Sequence, residues 1–306
     1  MNFGGTWAPG DTVSREAMEV ARAAFLTALD LGWDFFDHAD IYGRGRSEAV
    51  FGQLMEEVRV PRESILIQTK CGIRFADDPV VGAPHRYDFS PVHIRRSLEE
   101  SLRRLRTDYV DVLLLHRPDL LAEPEEVVEV LEALRREGKA RAYGVSNFPP
   151  FLLDLYAGSG LIPVAHQVEI SLLKPALVEA PLVAQSGQPA LGHPGDGSLE
   201  WHRRHGVVTQ AWAPLAYGYL CGRTKEGAEE RIVEGTRLVK RLAEEKAVSA
   251  EAIVIAWLLK HPACIQPIIG TTDPGRLRGC AEALTVDLSR EEWYGLHRTV
   301  RGQALA

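Results

Sequence analysis

A chain of 306 residues with 45% hydrophobic and 25% charged side chains has the composition of a globular protein, which excludes an extended disordered or fibrous one. Its formal charge of −7, from 35 basic and 42 acidic residues, repels polyanions at long range and offers no basic footprint, so nucleic acid is not an expected partner. The 4 cysteines, at positions 71, 221, 264 and 280, include no Cys-x-x-Cys pair; neither a disulfide framework nor a metal site is expected, and a reducing cytoplasm fits them best. The start, Met1 to Trp7, lacks the charged and apolar regions of an export signal, and no stretch of about 18 apolar residues occurs, so no membrane span is expected.

Along the chain, short aliphatic runs alternate with amphipathic segments in eight pairs, the pattern of repeated βα units around a parallel sheet. The fold class predicted is α/β, a (β/α)8 TIM barrel formed as a single domain over residues 1–306, a length that suits one barrel. Strands are predicted near 2–6, 33–36, 64–69, 110–115, 140–146, 163–168, 206–212 and 265–269. Between them, Ser14–Leu31, Ser47–Val58, Pro91–Arg106, Pro124–Glu137 and Arg231–Lys246 show apolar residues at helical spacing, several opened by Ser or Pro. Ser249 reads as the cap of a further helix through Trp257 that ends before Pro262, which makes the seventh crossover a helix pair. Two stretches, 71–90 and 186–198, break the rhythm and read as long loops; the first follows the third strand and is expected to help wall a pocket.

Three ionisable residues sit at the ends of successive predicted strands: Asp37 after Phe35-Phe36, Lys70 after Ile67-Gln68-Thr69, and His116 after Leu113-Leu114-Leu115. Tyr42 follows Asp37 closely. Parallel strands deliver such residues to one rim, which is where barrel enzymes keep their chemistry. Alone, each has a plainer reading: Asp37 as a strand-end ion pair, Tyr42 as a packing aromatic, Lys70 as a structural cation, His116 as a satisfied histidine. Asp111 lies inside the fourth strand and reads as structural. Together the four side chains supply an acid, a base, a cation and a phenol. For Tyr42 to act as a general acid near neutrality its ordinary pKa of about 10 must come down, and Lys70, held charged by Asp37, is the group expected to lower it. His116 would donate a hydrogen bond to a substrate oxygen or share protons with Tyr42.

The segment Gly32-Trp33-Asp34-Phe35-Phe36-Asp37-His38-Ala39-Asp40-Ile41-Tyr42-Gly43, with Ser47-Glu48 and Phe51-Gly52 beyond it, resembles the signature of the aldo-keto reductases. Gln68-Thr69-Lys70-Cys71-Gly72 and Leu113-Leu114-Leu115-His116-Arg117-Pro118-Asp119 match the next two blocks in order, and the likeness covers nearly the whole chain. It implies the (β/α)8 barrel, a catalytic tetrad of Asp37, Tyr42, Lys70 and His116 with Tyr42 as proton donor, and a nicotinamide cofactor as hydride source.

The same resemblance implies cofactor contacts. Ser146, Asn147 and Gln167 would bond the carboxamide, Trp212 would stack on the nicotinamide ring, and Pro214 and Leu215 continue along the pyrophosphate. Gly270, Thr271 and Arg276 resemble the adenosine-phosphate block, which makes NADPH (NADP+) the expected cofactor ahead of NADH. Some relatives carry Lys where this chain has Gly270, and Asp273 stands close by. No Gly-x-Gly-x-x-Gly follows a predicted strand, so the barrel itself must bind the cofactor. Relatives often carry a hairpin that plugs the barrel floor before the first strand; here Phe3-Gly4-Gly5-Thr6-Trp7 already resembles that strand, so the hairpin is expected to be absent.

The expected activity is reduction of an aldehyde or ketone, a small-molecule carbonyl substrate. Trp7, Phe75, Tyr87 and Tyr217, with Trp201 and Tyr219, are candidates for a partly apolar pocket, although each is equally a packing aromatic. A second class is a nicotinamide-binding sensory subunit with negligible turnover, as in the potassium-channel β subunits related to the family. A barrel hydrolase or isomerase using Asp37 and His116 leaves the cofactor blocks without a role.

Overall fold

Ser14 starts the first helix of the computed structural model, α1 (Arg15–Asp30), by accepting a hydrogen bond from Ala17 N at 3.1 Å, and the apolar stripe behind it buries Ala21, Ala24, Phe25 and Ala28. The described residues are 3, 4, 6–186, 197–223 and 225–303. They fall into two compact units, Met1–His166 and Gln167–Ala306.

In the first unit, β1 (Phe35–Asp37) is followed by α2 (Arg46–Val58), β2 (Leu66–Cys71), a short antiparallel hairpin of β3 (Ile73–Arg74) and β4 (Arg86–Tyr87), then α3 (Pro91–Leu105), β5 (Val110–Leu115), α4 (Pro124–Arg136), β6 (Ala140–Ser146) and α5 (Pro150–Gly158). β1, β2, β5 and β6 lie side by side in chain order, all parallel, with Asp37 opposite Gln68, Lys70 opposite Leu114 and Leu115 opposite Val145. That register brings the carboxyl ends of four strands to one edge, and the site sits there. Behind it, Phe25, Phe36 and Phe51 pack ring to ring at 5.0–5.4 Å. Gly52 lets α2 approach α3: a β-carbon there would stand 2.5 Å from Arg104 O.

β7 (Ala165–Glu169) spans the sequence boundary between the units. The second unit continues with α6 (Ala176–Ser186), α7 (Ser198–His205), β8 (Val208–Trp212), α8 (Glu230–Lys246), α9 (Ala250–Leu259), β9 (Gln266–Pro267), α10 (Pro274–Ala281) and α11 (Arg290–Arg301). β8 and β9 pair in parallel, Gln210 opposite Gln266. The crossover between them is the expected helix pair, and Ser249 caps α9 as read from sequence. Trp257, fully buried, stacks on Trp293 at 5.0 Å and accepts that ring's N–H on its carbonyl at 2.9 Å, which ties α9 to α11.

Most predicted elements stand within a few residues of their expected bounds, with four differences. The first predicted strand, 2–6, is not one among the described residues: Phe3 and Gly4 form a turn, Gly4 at a φ of 101°, and Phe3 is instead buried with its N–H on Ser47 Oγ at 3.1 Å. The stretch 71–90 is not all loop, since Ile73 and Arg74 pair with Tyr87 and Arg86. The eighth strand shrinks to Gln266–Pro267, because a proline has no N–H to donate onward. Helices α5, α6, α7, α10 and α11 had no assignment; α5 and α6 are apolar around much of their circumference and so lack a stripe for periodicity to find. Of the second predicted loop, 187–196 lies outside the described residues.

Candidate active site

Asp37 ends β1, Lys70 lies one residue from the end of β2, and His116 follows β5 directly. Lys70, with no exposed surface, spends its three ammonium protons on three acceptors: Asp37 Oδ2 at 2.6 Å, the His38 carbonyl at 2.8 Å and Tyr42 Oη at 3.2 Å. Asp37 Oδ1 accepts from Gln68 Nε2 at 2.5 Å. Burial is the strongest influence on Asp37 and opposes its charge, yet Lys70's charge and the bonds from Lys70 and Gln68 together hold its carboxyl below the usual range. Burial likewise works against the Lys70 ammonium, and Asp37 and then Tyr42 outweigh it, so Lys70 stays charged beyond the ordinary lysine range. The pair is a buried cation fixed by a buried anion, with a phenol on its third proton.

Tyr42 departs from the expected direction. Its phenol is raised above the ordinary value rather than lowered, because burial outweighs the pull of Lys70 and Asp37 adds to the rise. The phenol therefore keeps its proton at neutral pH and is a donor, with Lys70 3.2 Å away to receive the charge that a lost proton would leave. The Tyr42 ring sits edge-on to His116 at 6.0 Å and to Trp7 at 6.3 Å, and Trp7 is 45% exposed. His116 is pushed down to about 3, first by burial and then by the Lys70 charge, so its imidazole is neutral. Its backbone N–H is held by Cys71 O at 2.9 Å, while its Nδ1 has no partner among the described residues. A neutral imidazole suits polarising an incoming oxygen and does not suit holding a proton as a cation.

Beside the tetrad, Ser146 closes β6, and Asn147 follows in a left-handed conformation at φ 59°, its side-chain amide donating to Ser146 Oγ at 2.6 Å. In the second unit, Gln167 donates to Gln210 at 3.1 Å and Gln210 to Gln266 at 3.1 Å, a ladder of carboxamides across β7, β8 and β9. Trp212 ends β8 and is half-buried, and Pro214 is buried. Gly270 is exposed with open space where a β-carbon would stand, and Asp273, also exposed, caps α10 by accepting from Arg276 N at 3.0 Å. Among the described residues Arg276 has one carboxylate contact, a long one to Glu251 at 3.9 Å.

Of the predicted pocket aromatics, Tyr87 and Tyr217 are exposed, Phe75 lies under the Arg44 guanidinium at 4.1 Å, and Trp201 is buried and stacked on His205. Asp111 is structural as read: it accepts the Ile67 N–H at 2.9 Å and pairs with Arg62 and Arg141. Sequence reading missed Gln68 as the second hold on Asp37. It also missed a link in which Glu48, fully buried, accepts from Thr69 Oγ1 at 2.5 Å and from Arg104 Nε at 2.7 Å. A polar side chain inside an apolar strand, as Gln68 and Thr69 are, was the available signal.

A parallel α/β sheet with acid, cation and neutral imidazole at its strand ends is the frame of a barrel enzyme. Residues 3–299 match the model of the aldo/keto reductase family. The 6-dehydroglucose reductase of Agrobacterium fabrum is 35% identical over 99% of this chain and 94% of its own length. A putative voltage-gated potassium channel subunit beta of Schizosaccharomyces pombe is 29% identical over 85% of this chain and 77% of its own. Among solved structures, an aldo/keto reductase from Klebsiella pneumoniae in complex with NADP and acetate superposes with a TM-score of 0.72 at 24% identity, covering 97% of this chain and 89% of that one. The chain belongs to the aldo/keto reductase family. It accordingly has the (β/α)8 barrel fold and is an NAD(P)-dependent oxidoreductase, as the resemblance of its signature blocks implies.

Proposed function

We propose that the protein reduces an aldehyde or ketone to an alcohol with Tyr42 as the proton donor, and that it takes NADPH in preference to NADH. The observation that carries this reading is the single Lys70 ammonium bonded to both Asp37 and Tyr42. The bound cofactor supplies a hydride to the carbonyl carbon. As negative charge gathers on the carbonyl oxygen, Tyr42 gives it the phenolic proton, and the phenolate left behind is stabilised by Lys70. Asp37 keeps Lys70 charged and aimed. His116, its imidazole neutral, orients and polarises the same oxygen.

The residues present fit the cofactor. Arg276 is loosely paired and so has donors left for a 2′-phosphate, the neighbouring Asp273 carboxylate is used on a helix end, and Gly270 leaves its surroundings open. By the family pattern Ser146, Asn147, Gln167, Trp212, Pro214, Leu215 and Thr271 would make the remaining contacts. Trp7, Tyr87 and Tyr217 present exposed aromatic surface for the body of a substrate. The name of the Agrobacterium relative adds a hexose-derived aldehyde to the compounds worth testing.

The test is loss of NADPH absorbance with 4-nitrobenzaldehyde and with a sugar aldehyde, for the wild type and Tyr42→Phe. Turnover that drops by about 10²-fold or more in Tyr42→Phe supports the reading, since that is the usual worth of a positioned general acid. NADPH binding with no turnover on a panel of carbonyls sinks it in favour of a sensory subunit.

A further inference from the structure

The first unit contains a second recess that the proposed reaction leaves unused. It is a cavity of about 230 Å³ between the loop that follows β1, the strand β3 with Phe75, and the helix α3; Asp40, Arg44, His93 and Arg96 are among its walls, whereas Tyr42 and His116 are not. Three of its four arginines are committed to carboxylates: Arg74 to Asp78 at 2.9 Å and Asp88 at 2.8 Å, Arg96 to Glu100 at 2.8 Å, and Arg104 to Glu48 at 2.7 Å. Arg44 has no carboxylate partner among the described residues. Its Nε donates to the Trp7 carbonyl at 3.2 Å and its plane rests on the Phe75 ring, which positions the exposed fork and leaves its two terminal nitrogens without a partner among the described residues.

Holding Arg44 there has a conformational cost. Its φ is 56°, between Gly43 at 55° and Gly45 at 84°, and a side chain in the left-handed region costs about 1–2 kcal/mol that only a glycine avoids. Across the recess, Asp40 Oδ1 is buried with no partner among the described residues. Burial and then Glu48 raise the Asp40 carboxyl well above the ordinary range, and burial lowers the His93 imidazole. Among the described residues the walls thus match three arginines to carboxylates and leave the Arg44 guanidinium over, an excess of positive charge that suits an anion.

We propose that this recess binds a small oxyanion, the carboxylate or phosphate of an acidic metabolite, with the Arg44 fork as its partner. Guanidinium presents two parallel N–H groups to such oxygens. A water occupies about 30 Å³, so the space has room for a compact anion. Arg44 stands two residues after Tyr42, and an anion gripping it fixes the loop that carries the proton donor; this consequence rests on the reductase reading, while the binding itself does not.

The experiment is calorimetric titration of inorganic phosphate, and separately of citrate, into the full chain at constant ionic strength with no nucleotide present. Saturable binding of phosphate alone assigns a phosphoryl ligand and of citrate alone a carboxylate. Either must weaken about tenfold or more in Arg44→Gln, the usual effect of losing a charge-assisted bond. Arg276→Ala serves as the control for phosphate held by the second unit and must leave the affinity unchanged. No saturable heat with either anion, the same affinity in a folded Arg44→Gln, or loss in Arg276→Ala alone overturns the site. Absence of carbonyl turnover in the wild type would remove the reductase reading and leave these titrations fully interpretable.

Discussion

At the scale of the residue, burial works against the charge of each ionisable group in the candidate site, and counter-charge decides which of them resist it. Asp37 and Lys70 resist because they face each other at 2.6 Å; His116 has no anion close enough and is pushed down to about 3. That has a consequence for stability. In the unfolded chain a histidine takes its proton near pH 6.5, whereas folded His116 refuses it until about 3, so between those values the unfolded state binds more protons and stability falls as the pH is lowered. Going from pH 7 to pH 5 should cost roughly 2 kcal/mol through this one residue. The buried His38 acts in the same direction, and the raised Asp40 in the opposite one, but both are common to wild type and variant. Urea unfolding of wild type and His116→Gln at the two pH values isolates the term. The variant is expected to lose less stability on acidification, and equal losses would show that His116 is not kept neutral by the fold.

At the scale of the element, the site depends on how closely β6 lies against its neighbours. Gly144 stands two residues before Ser146, opposite Leu114 in the register of β5. A β-carbon there would meet Leu114 Cδ2 at 2.3 Å and the Ala165 carbonyl at 2.5 Å. The leucine has rotamers to retreat to, but a strand carbonyl does not, so β6 itself must shift. Gly144→Ala is therefore expected to destabilise the protein by about 1–3 kcal/mol, the common range for overpacking, despite alanine's better fit to ordinary strand backbone. Because Leu114 is in turn opposite Lys70, the shift is transmitted to the rim, and carbonyl turnover should fall with stability. A thermal midpoint equal to that of the wild type would mean that the strands have more slack than these distances allow. Gly160, in an open turn, gives the comparison: its added β-carbon meets nothing within 4 Å, and its φ of 99° makes any loss there a matter of backbone strain alone.

At the scale of the whole molecule, what was legible in the sequence was what repeats. β2, β5 and β6 are buried strands and read as aliphatic runs, and α1, α3 and α4 carry a clear apolar stripe with Ser or Pro at the start, so their order and nearly their bounds followed from pattern. Asp37, Lys70 and His116 were legible as a group because they stand at strand ends, whereas Tyr42, in the turn beyond β1, was drawn in by its nearness to Asp37 and by resemblance. Gln68 on Asp37, the Glu48–Thr69–Arg104 link and the upward shift of Tyr42 were not, since they depend on which distant side chains meet and on how much water is excluded, and periodicity carries neither. The cofactor blocks were named by resemblance, and the proposed preference for NADPH is testable on the intact chain without any turnover. A ligand that binds only the folded protein raises its stability by RT ln(1 + [L]/Kd), so at one common concentration a hundredfold tighter nucleotide stabilises by about 2.7 kcal/mol more. For a chain of this size that is a difference of several degrees in thermal midpoint. NADPH is expected to give the larger shift, and Arg276→Ala, which removes the loosely paired guanidinium, to bring it down to that of NADH. Equal shifts in the wild type would assign Arg276 to its Glu251 contact and open the cofactor site to NADH on the same terms.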